Sequence, residues 1–417
     1  MTPRPGPPIE LAARREGYRA EAMRLLIRPD VRTTVATATA LACALVPVFL
    51  FGALSELIRA DLVFDEAGVG AGVTVFFVAA GLGAVPGGRV TERVGPRVAM
   101  LLGASIAGVA SFGIGLLAQQ WWQAALLLAL AGSAVGLIDT GGARAFADVV
   151  PLRRQGLAFG IKEASVPAAS MVAGAAVPLL GLTVGWRATF ALGLLLAPVV
   201  WLVLPPQVGA GRPAGAVPVG HQPPSRRVLL LIALGSAAGT GAATATASFL
   251  VPAATVAGLA AGTAGTLLAA GSLLSITARI VAGHLADGAR RRELSVTAGM
   301  LTVGTAGPLL LASDLRTAAV VGGLVALGAG WGWTGLVFLS AVRADPAAPA
   351  AAAGIVLAGL STGGALGPIA FGVVVSQIGY QVAWLLAAIA MAIGALAISA
   401  ASRLSRPADD PGGDRAR

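Results

Sequence analysis

The chain is short of charge and of the residues that carry metal and redox chemistry. Only 12% of its 417 residues are charged, whereas a soluble domain carries about 25%. Its single cysteine, Cys43, allows neither an internal disulfide nor a cysteine-based metal site. Its two histidines, His221 and His284, both lie in polar loops, so a histidine metal cluster is not expected. We therefore expect no metal, no cofactor and no enzymatic activity.

Apolar residues take the place of the missing charge. Hydrophobic residues make up 56% of the chain, and the mean hydropathy is +0.84. Apolar runs of about 20 residues recur, which is the length that a helix needs to cross a bilayer core of about 30 Å. The first run begins near residue 33 behind an arginine-rich tail, so no signal peptide is evident. The sequence predicts an all-α polytopic membrane protein whose first partner is the lipid bilayer.

The runs predict about twelve spans in two sets of six. The two sets are separated by a segment that is rich in proline and glycine and has no apolar periodicity. This composition predicts a linker. The predicted segments are a basic tail over 1–32, a first six-helix bundle over 33–204, the linker over 205–227, a second six-helix bundle over 228–402, and a tail over 403–417.

Arginine placement predicts the orientation, because cytoplasmic loops carry the excess of positive residues. With the N-terminus inside, 25 arginines fall in cytoplasmic segments, and only Arg59, Arg187 and Arg316 fall outside. The formal charge of +10 is then explained by topology, and no nucleic-acid partner is expected. We expect a multi-pass protein of the cytoplasmic membrane of the cell with both termini in the cytoplasm.

The two sets of spans share an internal repeat. The loop after span 2 reads GRVTERVGPR (88–97), and the loop after span 8 reads GHLADGARRR (283–292), at an offset of 195 residues. Three further pairs recur at an offset of 194 residues: Gly160 with Gly354, Gly185 with Gly379, and Phe190 with Trp384. Two independent motifs at nearly one offset indicate duplicated halves.

With this repeat the chain resembles the major facilitator superfamily from about residue 33 to 402. The family pattern of the loop after span 2 is G-x-x-x-D-[RK]-x-G-[RK]-[RK]. The matching residues are Gly88, Arg93, Gly95 and Arg97, while Glu92 replaces the usual aspartate and Pro96 departs from the pattern. The second copy keeps Gly283, Asp287, Arg291 and Arg292, with Gly288 where a basic residue is expected. The resemblance implies two pseudo-symmetric six-helix bundles around a central cavity, alternating access, and a monomer.

The two loops are expected to act as a cytoplasmic gate. A carboxylate there can sit at the positive N-terminal end of a helix from the other half. The helix that starts near Ala353 is the expected partner of Glu92, and Asp287 is the matching carboxylate of the second copy. Alternatively, the charges of these loops only serve the positive-inside rule.

Span 5 carries the only lysine of the chain, Lys162, beside Glu163. Lys162 lies roughly 12 Å into the membrane, and Asp139 of span 4 is almost equally far from the turn between the two spans. An ionisable group at this depth costs about 3 kcal/mol. We expect one member of the Lys162–Glu163 pair to bind Asp139 and the other to face the cavity. The alternative is an ion pair that only fixes the packing of spans 4 and 5.

Further residues are candidates for the solute or proton site. Arg144 lies one helical turn beyond Asp139, and its alternative role is an anchor at the membrane surface. Trp331 and Trp333 are two residues apart in span 10, so both cannot face the cavity squarely. One can stack on a solute while the other packs, and core packing is the alternative for each. Arg279 of span 8 is expected to pair with Asp287 or to reach the membrane surface.

These features predict a secondary active transporter for a small organic solute, driven by protons through alternating access. Lys162 favours an organic anion or carboxylate, because it can hold an anionic group as a point charge. Glu163 or Asp139 would carry the coupling proton, and sodium coupling stays open. Export of drugs or metabolites by proton antiport is one alternative. A non-transporting membrane sensor with a transporter fold is another, since a fold does not fix function.

Overall fold

A computed structural model describes residues 29–149, 155–206, 226–288, 292–313, 315–344 and 349–405. Most of the predicted N-terminal tail, of the linker and of the C-terminal tail lies outside the described residues, as does Arg291. The boundaries predicted for those segments therefore stay predictions.

Within these described ranges, twelve helical spans are long and apolar enough to cross a membrane, as the sequence predicts. Nine are single helices: span 1 Pro29–Ala53, span 2 Glu66–Val94, span 3 Pro96–Leu117, span 4 Trp121–Val149, span 7 Arg226–Val256, span 8 Ala261–Gly288, span 9 Glu293–Leu311, span 11 Pro349–Gln377 and span 12 Tyr380–Leu404. A short helix, Ser55–Leu62, joins spans 1 and 2.

The other three spans are interrupted. Span 5 consists of Gln155–Glu163, Ser165–Ala176 and a π-helical turn Val177–Gly181. Span 6 consists of Gly185–Leu192, a 3₁₀ turn Gly193–Leu195 and Leu196–Val203. Span 10 breaks into Arg316–Trp331 and Thr334–Ala344. No strand occurs within the described ranges.

The packing of the spans repeats between the halves. In the first half, span 4 packs on spans 2 and 3, span 3 on span 6, and span 1 on span 5. In the second half the pairs lie six spans later: span 10 on spans 8 and 9, span 9 on span 12, and span 7 on span 11. The halves meet chiefly along spans 5 and 8 and along spans 2 and 11, which exchange under the same shift. The fold is therefore two pseudo-symmetric six-helix bundles.

The glycines of the repeat play equivalent parts at the start of spans 6 and 12. Gly185 and Gly379 have φ of 84° and 119°, a region that L side chains rarely adopt, so glycine is required at both turns. The paired aromatics that follow, Phe190 and Trp384, are both buried. The offset of 194 residues thus relates equivalent positions of the two bundles.

The two sides of the bundle are held together differently. We call the side where span 1 begins and span 12 ends the termini face, and the other side the opposite face. Toward the opposite face, span 1 meets span 7 at Gly52, and the Thr74 hydroxyl of span 2 donates to the Ala365 carbonyl of span 11 at 2.5 Å. Spans 5 and 8 also meet there, since a Cβ on Gly174 would lie 2.6 Å from the Gly265 carbonyl oxygen. The halves therefore contact each other toward the opposite face along three pairs of spans, which we call seams: spans 1 and 7, spans 2 and 11, and spans 5 and 8.

At the termini face the seams differ from one another. Spans 5 and 8 stay in contact, with Gly156 packed against Gly283. Gly88 and Gly354, on spans 2 and 11, are the repeat partners of Gly283 and Gly160. A Cβ on Gly354 would meet nothing within 4 Å, and a Cβ on Gly88 would meet only Thr140 of its own half. Spans 2 and 11 are therefore apart at the termini face.

Candidate functional site

Lys162 is brought together with Asp139 across the first half. The Lys162 Nζ lies 2.8 Å from Asp139 Oδ1 and 3.6 Å from Glu163 Oε1. Their side chains are 13%, 24% and 10% exposed, so the pair is largely sheltered. At these distances each charge offsets much of the desolvation of its neighbour.

The expected packing of spans 4 and 5 against each other is wrong. Span 4 packs on spans 1, 2 and 3, and span 5 packs on spans 1, 8 and 10. The reason lies in the glycines: Gly132 and Gly136 turn span 4 toward the backbone of span 2, while Gly156 and Gly160 turn span 5 toward span 8. The Lys162–Asp139 ion pair therefore joins two spans that make no extensive contact, and it does not merely fix a helix-packing interface.

Glu163 does not face a cavity, contrary to the expectation. The residue as a whole is 7% exposed, and its carboxylate points to the other half of the molecule. The Thr334 hydroxyl donates to its Oε2 at 3.3 Å, and Arg279 Nη1 lies 3.9 Å from the same oxygen. Burial is possible because a cation from span 8 and a hydroxyl from span 10 replace water around the carboxylate.

Arg279 neither pairs with Asp287 nor reaches the membrane surface, so both expectations for it are wrong. Its side chain is 1% exposed. Its Nε and Nη2 donate to the Trp331 carbonyl at 3.1 and 2.6 Å, and its Nη1 donates to the Glu163 carbonyl. The break in span 10 leaves helix-end carbonyls without partners, and the guanidinium supplies the donors.

The four groups form what we call the charge chain: Asp139, Lys162, Glu163 and Arg279. Their signs alternate, and their side-chain exposure falls along the chain from 24% at Asp139 to 1% at Arg279. The first three belong to the first half and Arg279 belongs to the second. Solvent therefore has most access to the Asp139 end, while the other end couples the two halves electrostatically.

Aromatic rings flank the charge chain. The Lys162 Nζ lies 5.5 Å from the centre of the Phe338 ring, within cation–π range. Phe338 of span 10 stacks on Phe159 of span 5 with 6.0 Å between ring centres. This stack joins the two halves one helical turn nearer the termini face than Lys162. Sequence reasoning missed both phenylalanines, since each is a single apolar residue in an apolar span.

The remaining solute candidates do not line an open space in this conformation. Trp333 is 0% exposed, and its indole N–H donates to the Gly330 carbonyl at 2.7 Å. Trp331 is 2% exposed and packs edge-on against Phe49 of span 1 at 5.8 Å between ring centres. Both tryptophans therefore pack, because the helix break folds them into the bundle. Arg144 is exposed near the termini face and does not join the charge chain.

The second-copy gate loop makes the contact that the sequence predicts. Asp287 accepts hydrogen bonds from the backbone N–H groups of Gly156 and Leu157, at 2.9 and 3.0 Å, at the start of span 5. A carboxylate there meets the positive end of the helix macrodipole. Arg343 of span 10, missed in the sequence, lies 3.8 Å from Asp287 and also binds Glu293.

The first-copy loop does not make that contact. Glu92 is exposed, and among the residues that the structure describes it has no hydrogen-bond or ion-pair partner. Arg93 and Arg292 are exposed as well, Arg97 is partly buried, and Gly95 turns the chain with φ of 83°. The expected contact of Glu92 with span 11 is absent here because spans 2 and 11 are apart at the termini face.

The opposite face carries further ion pairs. Arg59 binds Glu66 at 2.6 Å, and the Thr255 hydroxyl of span 7 donates to Glu56, which joins the two halves. A cavity of about 430 Å³ lies beside them, lined by Glu56, Arg59, Ala60, Val63 and Phe64. It is remote from the charge chain.

Twelve apolar spans in two repeated six-helix bundles define a polytopic membrane protein with duplicated halves. The sequence model of the Major Facilitator Superfamily matches residues 36–348, which is well over half of the chain. The chain belongs to the Major Facilitator Superfamily. It is accordingly a multi-pass membrane protein of a family of secondary transporters for small molecules.

One solved structure shows how far the fold agrees. It is the crystal structure of a bacterial homolog of the human lysosomal transporter Spinster, in an inward-facing and unoccupied conformation. The match has a TM-score of 0.59 at 16% identity and covers 90% of this chain and 96% of that chain. At this identity the likeness shows the fold alone. No curated protein sequence matches the chain.

Proposed function

We propose that this protein moves a small organic anion together with protons across the cytoplasmic membrane of the cell. The observation that carries the proposal is the charge chain, above all the ion pair between Lys162 and Asp139 at 2.8 Å. Ionisable groups inside a membrane are expensive and rare, and they mark ion and substrate pathways. Lys162 is also the only lysine of the chain, so its use inside a span is not a by-product of composition.

The proton and the anion act on the same ion pair. A proton on Asp139 removes the negative charge nearest to Lys162, and the ammonium, still 3.6 Å from Glu163, can then bind the anionic group of a solute. Departure of the solute restores the attraction between Lys162 and Asp139 once the proton leaves. Proton and anion therefore bind together, and each favours the other.

The proposed orientation has both termini in the cytoplasm, and the arginine distribution of 25 to 3 supports it. The termini face is then the cytoplasmic face. Closure of the three seams toward the opposite face, with spans 2 and 11 apart at the termini face, is what an inward-facing conformation requires. The gate loop of Asp287 is engaged in this state and the gate loop of Glu92 is free.

Flux into proteoliposomes tests the proposal. The panel contains benzoate, lactate and citrate as anions and tetraphenylphosphonium as a lipophilic cation, each with and without an imposed pH gradient. Lys162→Met keeps the apolar stem but removes the charge, and Arg226→Gln removes an exposed charge at the start of span 7 as a control. We expect anion flux that follows the pH gradient, falls about a hundredfold in Lys162→Met and is unchanged in Arg226→Gln, as loss of a charge-assisted contact predicts.

Two results would replace the proposal. A cation flux that depends on the pH gradient and is unchanged in Lys162→Met would favour drug export by antiport. Lys162 would then have only a packing role. Solute binding without any flux in reconstituted protein would favour a sensor.

A further inference from the structure

Span 10 is broken at a point where a continuous helix would pair all of its own backbone polar groups. Its first segment ends at Trp331 and its second segment begins at Thr334. Inside a membrane the freed carbonyl and N–H groups need partners from neighbouring helices. The first segment ends with a negative dipole and the second begins with a positive one. The break therefore needs a cation on one side and an anion on the other.

Arg279 supplies the cation. It makes two hydrogen bonds to the Trp331 carbonyl, and its guanidinium lies 5.5 Å from the centre of the Trp331 ring. Arg279 sits on span 8, so it holds the end of the first segment from within the same half. Its third hydrogen bond, to the Glu163 carbonyl, crosses to span 5 of the other half.

Glu163 supplies the anion. Its Oε2 accepts from the hydroxyl of Thr334, the first residue of the second segment, and the same oxygen is the carboxylate oxygen 3.9 Å from Arg279. The break is thus held on one side by a residue of the second half and on the other side by a residue of the first half. The spans approach so closely here that a Cβ on Gly335 would lie 3.3 Å from Gly160.

We propose that Arg279 is a positioning residue that holds the break in span 10 and links it to the charge on Glu163. When Glu163 is neutralised, the Arg279 guanidinium loses its only nearby carboxylate among the described residues, although it stays almost fully buried. A buried cation without a counter-charge is costly, so its contacts with Trp331 and span 5 weaken. The second segment, Thr334–Ala344, then moves independently of the first.

Charged and polar groups from three elements face Glu163. They are Lys162 on its own span, Arg279 on span 8 and the Thr334 hydroxyl on span 10, and Asp139 on span 4 acts through Lys162. Protonation of Asp139 leaves Lys162 to Glu163 alone, which strengthens that ion pair. The break therefore responds to the charge of Glu163 itself. The inference goes beyond the proposed function, whose proton binds Asp139, and it needs no knowledge of the solute.

Hydrogen–deuterium exchange of the full-length protein in lipid nanodiscs tests the link without any solute. The readout is the ratio of exchange rates in peptides 334–344 and 316–331, which cancels the intrinsic effect of pH on exchange. In Glu163→Gln we expect this ratio to be about tenfold above that of wild type, the size of an ordinary coupling energy. The difference should persist at every pH at which both proteins are folded. Arg279→Met should raise the ratio equally, and the double variant should add nothing further.

Matched variants separate positioning from simple loss of structure. Arg279→Lys keeps the charge and should recover part of the wild-type ratio. Glu293→Gln is the control. It removes a buried carboxylate of span 9 that pairs with Arg343 at the far end of the second segment of span 10, and it should not raise exchange next to the break.

A ratio in Glu163→Gln equal to that of wild type at all pH values would overturn the proposal. Equal acceleration of both segments of span 10 would overturn it too. If Arg279→Met does not fold, Glu163→Gln and Arg279→Lys decide alone. Failure of every solute in the flux panel would leave this result standing.

Discussion

At the scale of single residues, the Lys162–Asp139 pair shows why a membrane protein keeps charges in pairs. Each charge alone would face a medium of low dielectric constant, and its partner at 2.8 Å restores much of the lost hydration energy. Such a pair adds little net stability, yet removal of one member leaves the other uncompensated. The pair is therefore stable as a unit and responsive to any change in one of its members.

A double-variant cycle measures this property. Asp139→Asn and Lys162→Met should each lower the free energy of unfolding by about 3 kcal/mol, toward the low end for buried pairs because Asp139 is partly exposed. The double variant should regain most of that loss, because neither charge is then left alone. Thermal unfolding followed by intrinsic tryptophan fluorescence would give the three values. Additive losses in the double variant would mean that the two residues do not interact.

The sequence could predict the first half of the charge chain but not the second. Asp139 and Lys162 are equidistant from one turn, so their common depth follows from local counting. The contact of Glu163 with Arg279 depends on the register between spans 5 and 8, which lie in different halves. No local pattern encodes that register, since it is set by close approaches such as Gly160 against the Arg279 carbonyl.

At the scale of helices, the start of span 5 depends on a carboxylate from another helix. Asp287 accepts from two N–H groups that have no partner within their own helix, which is the role of a capping residue supplied from outside.

Asp287→Asn tests this cap. An amide oxygen can replace one of the two acceptors but lacks the charge that favours the helix N-terminus, so we expect a loss of about 1 kcal/mol. Spin labels at Leu82 and Leu357 in a Cys43→Ser background should report a wider gap between spans 2 and 11 as the seam of spans 5 and 8 loosens. Glu92→Gln, whose side chain is exposed and unpaired among the described residues, should leave both quantities unchanged in this conformation. An equal effect of the two variants would contradict the asymmetry of the gate.

The helix interruptions were beyond the reach of hydropathy. The run Arg316–Ala344 carries charge only at Arg316 and Arg343, and its mean hydropathy is 1.5 in its best window. Hydropathy alone therefore predicts one continuous span. Gly332 between two tryptophans was the available signal, since glycine weakens a helix and large neighbours need space to fold inward. The need of Arg279 for a hydrogen-bond acceptor completes the explanation, and it becomes visible only in three dimensions.

At the scale of the whole molecule, the repeat relates two seams that are in different states. Gly160 on span 5 is packed against span 8, while its repeat partner Gly354 on span 11 faces open space. In the proposed alternating access both seams close at the termini face in the other state. Gly354 should then approach span 2 as Gly160 approaches span 8 in this state.

Gly354→Val should therefore stall transport without loss of stability. The added Cβ meets nothing within 4 Å here, but the branched side chain would block closure of spans 2 and 11. We expect an unchanged unfolding temperature and a fall in flux of about tenfold or more, since each 1.4 kcal/mol of steric penalty is a factor of ten. Gly299→Val on the peripheral span 9, whose Cβ also meets nothing within 4 Å, should change neither. Normal flux in Gly354→Val would show that these spans do not close as the repeat implies.

Gly160→Val is the complementary change. Its Cβ would lie 2.6 Å from the Arg279 carbonyl oxygen, closer than atoms pack, so spans 5 and 8 must separate. We expect a destabilisation of about 1–3 kcal/mol, together with a wider distance between labels at Leu82 and Leu357. A variant with wild-type stability would show that the seam is looser than described.

The duplicated halves could be predicted from the sequence. The state of each seam could not, because one sequence serves both states.

The four members of the charge chain sum to zero, and that balance has an electrical consequence. An elementary charge moved through the full membrane field exchanges about 2.3 kcal/mol per 100 mV with that field. A carrier that returns empty with Asp139, Lys162, Glu163 and Arg279 all ionised moves no net charge of its own through the field. The same holds when it carries one proton with one monovalent anion. The membrane voltage then neither drives nor hinders the cycle, and the concentration gradients alone set its direction.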